Sequence, residues 1–188
     1  MAIVVVGGSG RNVGKTALIC GLIAELKELR WTAVKISSHN HGKQEPVWEE
    51  TTAGTGTDTA RYLAAGAERA LLISADGDEL GAVVRQLIES QEPETHLILE
   101  SNQVLIFLQP DICLAVLGNR LSAEATEMKP SFRPFLQITD ALISPTGEAI
   151  LPEGFDPAKP VFRQASVGQV PREMVSWVGL QLHARLHS

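Results

Sequence analysis

Residues Val6 to Thr16, VGGSGRNVGKT, constrain this chain more than any other stretch. An apolar run, AIVVV, precedes them and reads as a buried strand, and a helix-periodic segment, ALICGLIAELKEL, follows. A strand that turns through a glycine-rich loop into a helix brings backbone amides and a helix N-terminus to one point, which suits a polyanionic phosphate. In such a loop Lys15 reaches the terminal phosphates and the Thr16 hydroxyl takes a Mg²⁺ coordination position. Gly8, Ser9, Gly10, Arg11, Asn12, Val13, Gly14 and Ala17 are expected to complete the phosphate site, with Lys15 and Arg11 neutralising charge during phosphoryl chemistry. The competing reading is an ordinary turn between a strand and a helix.

Composition narrows the rest. A chain of 188 residues suits one α/β domain spanning 1–188, long enough for a substantial core. A net charge of -6 argues against nucleic acid as a partner, so the positive charge a nucleotide needs must be local: Arg11, Lys15, Lys35 and Arg61. Cys20 and Cys113 fall in an apolar helix and an apolar strand, and read as core thiols rather than a bridge or metal pair. A core strand close to Met1 leaves no room for a signal peptide, and no apolar run reaches the roughly 20 residues of a membrane span. A cytoplasmic protein without membrane partners is expected.

Strand and helix signals alternate along the chain. Strands are expected at Ala2 to Val6, Thr32 to Ser37, Arg69 to Ser74, His96 to Glu100, Ile112 to Leu117, Asp140 to Ile143 and Pro160 to Arg163. Helices are expected at Lys15 to Leu29, Thr57 to Ala65, Glu79 to Glu89, near Ser131 to Leu136, and at Arg172 to Leu186. Thr57 is a natural N-cap and Gly66 a natural stop. The polar segment 38–56 reads as a long lid or binding loop. Continuous apolar strands between helices imply a mostly parallel sheet covered on both faces, with ligands bound at the carboxyl ends of the strands.

Polar residues gather at that edge. Glu100 ends the strand HLILE, where a carboxylate can bind Mg²⁺ or hold its water. Asp58 opens a helix and divides between a dipole role and a metal-proximal one. Asp76, in ADGDE, reads as a turn and helix cap. Lys35 either points to the phosphates or is an ordinary charge near a strand end. His39 and His41 follow in SSHNHG, with surface-loop and substrate-contact readings both open. Asn119, after the fifth strand, is a candidate for a purine edge or a simple turn residue. Trp31, Trp48 and His96 carry no functional reading.

The chain resembles the molybdopterin-guanine dinucleotide biosynthesis protein B family. Four segments of the first hundred residues carry the match: GGSGRNVGKT, VKISSHNHG, GTDTARYLAAGAERALLIS and LILESN. Ser9 stands where the usual loop has its first glycine, and counted from Gly8 five residues precede Gly14. That longer spacing is similar to dethiobiotin synthetase and cobyric acid synthase. Glu100 is followed by Ser-Asn where the family reads Gly, an aromatic and Lys, and no Asn-Lys-x-Asp element specifies guanine. The resemblance implies a three-layer P-loop NTPase fold with a sheet of about six or seven strands. It also implies GTP or ATP with Mg²⁺ held by Thr16, Asp58 and Glu100, and a partner in molybdenum cofactor biosynthesis; a homodimer is among the assemblies it allows. Three activities follow from these residues: slow nucleotide hydrolysis that orders and releases the 38–56 loop, ATP-dependent ligation of a small carboxylate, or a non-catalytic nucleotide-binding adaptor.

Overall fold

The computed structural model describes residues 1–37, 45–118, 130–145, 151–164 and 169–186. Within them eight strands form one sheet: β1 (Ile3–Gly8), β2 (Arg30–Ser37), β3 (Val47–Glu49), β4 (Arg69–Ser74), β5 (Thr95–Glu100), β6 (Ile112–Val116), β7 (Ala141–Pro145) and β8 (Val161–Gln164). Their order is β3-β4-β2-β5-β1-β6-β7-β8, and every neighbouring pair is parallel except β3 with β4. Residues of β1, β5 and β6 are buried throughout, which is why their sequences are unbroken apolar runs rather than alternating ones.

Among the described residues five helices cover the two faces: α1 (Lys15–Glu25), α2 (Asp58–Ala64), α3 (Gly77–Glu89), α4 (Phe132–Ile138) and α5 (Arg172–Leu186). One core joins Val4, Val6, Ile98 and Leu114 to Leu22 of α1, Tyr62 of α2 and Val178 of α5. The opposite core joins Val5, Leu99 and Ala115 to Leu80 of α3 and Phe135 of α4. Alternate residues of one strand thus feed different cores, as the two-residue period of a strand demands.

Two expectations need correction. The sheet has an eighth strand, because Val47–Glu49 pairs antiparallel with Leu71 to Ile73; the 38–56 segment is therefore not structureless, although 38–44 lie outside the described residues. Helix α1 ends at Glu25 rather than Leu29, because Leu26 leaves helical geometry (φ -107°, ψ 46°) and Trp31 Nε1–H donates to its carbonyl at 3.2 Å. Thr57 caps α2 as expected, its hydroxyl accepting the Ala60 N–H at 3.0 Å, and Gly66 stops it with φ 109°. Cys20 and Cys113 are both free thiols.

Candidate functional site

The loop between β1 and α1 is shaped by backbone conformations that few residues adopt. Asn12 has φ 57° and Gly14 φ 101°, so the chain reverses into α1 through two left-handed positions. Gly14 is the N-cap of α1 and has no side chain to cap its first turn. Neighbouring strand ends hold the loop from both sides. Ser9 N–H donates to Val116 O at 3.0 Å, and Ser9 Oγ accepts the Gly118 N–H at 2.9 Å. On the other side Gly8 is bonded twice to the Asn102 side chain, at 2.8 and 2.9 Å.

Glu100 is the hub beneath this loop. It is 3% exposed and both its oxygens are taken. Oε1 meets Lys35 Nζ at 2.5 Å and Lys15 Nζ at 3.7 Å, while Oε2 accepts from Thr16 Oγ1 and Tyr62 Oη, each at 2.7 Å. Burial pushes the Glu100 carboxyl up, but the Lys35 ammonium, with Tyr62 and Lys15, more than compensates and holds it below the usual carboxylate value. Tyr62 goes the other way: burial first, then the Glu100 charge, raise its phenol well above the ordinary value. Lys35 also meets Asp58 Oδ2 at 2.9 Å, and Arg61 Nη1 lies 3.6 Å from Asp58 Oδ1. Burial alone would lower the Lys35 pKa, yet Glu100 and Asp58 raise it. For Asp58, burial is outweighed by Lys35, and its carboxyl sits low.

These groups border an open cleft of about 1040 Å³. Gly8, Arg11 to Ala17, Asp58 and Glu100 all line it, and Lys35 does so with its ammonium turned to the carboxylates. Ser9 and Gly10 sit in the loop itself; Ser9 braces β6, and the Gly10 carbonyl accepts from Lys15 Nζ at 3.1 Å. Asp76 stands at the N-cap of α3 and is not among the cleft residues. Asn119, His39 and His41 lie outside the described residues.

Sequence pattern does not single out Tyr62, buried beneath the cleft on Glu100, nor Asn102, Trp48 and Leu72 of its lining. Tyr62 had a signal: it lies four residues after Asp58, hence on the same face of α2. Asn102 had none, because its bond to Gly8 spans 94 residues. Trp48 and Leu72 line the far side of the cleft, and the register explains how. Trp48 pairs with Leu72, Leu72 with Lys35, Lys35 with Glu100, and Glu100 with Val6. Side chains paired across a sheet share a face, so one transverse row runs from the edge strand to the phosphate loop.

Among the described residues no three His, Cys, Asp or Glu side chains form a metal cage. That donor set still fits Mg²⁺, which is usually held by one or two carboxylates together with substrate phosphates and waters. Thr16, Asp58, 35% exposed, and Glu100, 3% exposed, are the groups that could hold it, directly or through its waters.

No family model matches the sequence, and no curated protein matches it. Among solved structures the chain is similar to MobB of Bacillus subtilis, with 21% identity, a TM-score of 0.48, and 96% of this chain and 98% of that one covered. It is also similar to LpxK from Aquifex aeolicus, solved in complex with ATP, with 18% identity and a TM-score of 0.52 over 87% of this chain. The match covers 53% of LpxK, so the chain spans about half the length of that protein. With its parallel sheet, loop and covering helices, the chain has the three-layer α/β fold of P-loop NTPases.

Proposed function

We propose that the protein binds a nucleoside triphosphate, GTP or ATP, with Mg²⁺ and hydrolyses it slowly. One observation carries this reading: Lys15 and Thr16, at a helix N-terminus whose N-cap is Gly14, converge on the buried Glu100 at 3.7 and 2.7 Å. Amides of the loop and of the first turn of α1 hold the phosphates, and the Lys15 ammonium neutralises charge on the terminal ones. Thr16 and Asp58 hold the divalent ion, which when bound withdraws charge from the phosphates. Glu100 orients the surrounding water, itself kept in place by Tyr62 and Lys35. Arg11, exposed at the cleft, neutralises charge on the phosphoryl group in transfer.

The first test is a thermal-shift panel of ATP, GTP and CTP, each with and without Mg²⁺, followed by phosphate release. Stabilisation by one nucleotide that requires Mg²⁺ is expected; no shift with any of them overturns the reading. Lys15→Ala should weaken triphosphate binding by about 100-fold, as loss of a charge-assisted contact implies. Its unfolding midpoint without ligand should stay near wild type. Equal affinities by calorimetry would remove Lys15 from the site.

A part in molybdenum cofactor assembly is drawn from the sequence resemblance. A second reading, ATP-dependent ligation of a small carboxylate, is favoured by the extension of the cleft past the loop to Trp48 and Leu72, which leaves room for an acceptor. Phosphate release from nucleotide alone supports hydrolysis, and release only with an added carboxylate supports ligation.

A further inference from the structure

Strand β1 outlasts its neighbour β5. Val6 pairs with Glu100, the Ser101 N–H still donates to Val6 O at 3.1 Å, and there β5 leaves the sheet. Ser101 Oγ then accepts from the N–H groups of Gln103 and Val104, turning the chain into a short 3-10 turn at Val104–Ile106. Gly8 therefore has a strand partner on the β6 side only. The N–H and C=O of one strand residue face the same edge. Since Ser9 N–H bonds Val116 of β6, the Gly8 pair faces the edge that β5 has vacated. Gly8 is buried, so leaving both groups unpaired would be costly.

The Asn102 carboxamide fills that place. Its Oδ1 accepts the Gly8 N–H at 2.8 Å and its Nδ2 donates to the Gly8 carbonyl at 2.9 Å, replacing the acceptor and donor that two successive peptides of a continuing strand would supply. A weaker bond at 3.4 Å joins the same Nδ2 to Ser131 Oγ, beside α4. Gly8 in turn supports the catalytic lysine: a Cβ added there would lie 2.9 Å from Lys15 Cδ and 2.7 Å from Val13 Cγ2, so both side chains lie directly over its backbone.

We propose that Asn102 is a positioning residue for the phosphate loop, locking the Gly8 peptide and thereby setting the Lys15 stem before a ligand arrives. The proposal rests on the phosphate-binding reading above and deepens it. Two measurements test it, each made well below the unfolding midpoint of every variant. The first is amide exchange at Gly8 without ligand, which should be slow in wild type and much faster in Asn102→Ala. The second is the calorimetric affinity for Mg²⁺-ATP analogue and for inorganic tripolyphosphate. Asn102→Ala should weaken both ligands by about tenfold, as loss of two neutral hydrogen bonds implies. Asn102→Asp, nearly isosteric, should weaken them at least as much, because it sets a carboxylate oxygen against the Gly8 carbonyl. A purely architectural role would lower the unfolding midpoint and leave both affinities alone. Unchanged Gly8 exchange, or affinities within about twofold of wild type in both variants, overturns the proposal. Wild-type protein that binds neither ligand overturns the phosphate-binding reading itself, a result distinct from wild-type binding that the variants preserve.

Discussion

A buried carboxylate shared by two ammonium groups, a hydroxyl and a phenol makes Glu100 the residue whose ionisation matters most. Its folded pKa is lowered from 4.5, so its stabilising contribution is present above about pH 4.5 and is lost as pH falls through the folded value. Asp58, also lowered, adds a contribution of the same sign. Urea unfolding of wild type should therefore lose stability steeply below about pH 4.5, and Glu100→Gln should flatten that slope. At neutral pH the same variant should be destabilised by about 1–3 kcal/mol, less than for a fully buried pair because Lys35 keeps Asp58 and is 25% exposed. Identical slopes for the two proteins would show that the carboxylate titrates alike in the folded and unfolded chains. Lys35 illustrates where sequence reading stops. Its place near a strand end was visible, but its direction was settled by two acids from β5 and α2 that lie 65 and 23 residues away in sequence.

At the scale of elements, the strand–loop–helix unit depends on close approach as much as on hydrogen bonds. Gly7 carries α4 against β1: a Cβ there would lie 2.4 Å from the Phe135 ring, within a fully buried contact. Gly7→Ala should destabilise the fold by about 1–3 kcal/mol through overpacking, and Phe135→Leu in the same chain should recover part of that loss. If calorimetric unfolding of Gly7→Ala matched wild type, α4 would have to pack less tightly than described. The long periodic elements were legible beforehand, with α5 matching its expected span and α2 its cap and stop. The apolar spacing carries the helical pattern of α1 four residues past its end, because Leu26 and Leu29 continue that spacing while packing from a turn. Strand β3 has no sequence signature, because three residues within a polar segment carry too little periodicity; its partner β4 creates it. For the same reason the loop and Glu100 were readable from local pattern, whereas Asn102 and Trp48 became site residues only through tertiary neighbours.

On the scale of the whole molecule, stability should grade outward from the central pair β1 and β5. Amide exchange is expected to be slowest in Val4, Val5, Ile98 and Leu99, which are fully buried, and faster in the short outer strands β3 and β8. Uniform exchange across all eight strands would instead indicate that the sheet opens only as one unit. The transverse row from Trp48 through Leu72 and Lys35 to Glu100 imposes a rule of parity on the chain. Because strand side chains alternate, losing one residue from β2 ahead of Lys35 would swing its ammonium into the opposite core, while losing two would return it to the carboxylates. Length variation tolerated there must come in even steps, and an odd step would leave Glu100 buried without its nearest cation.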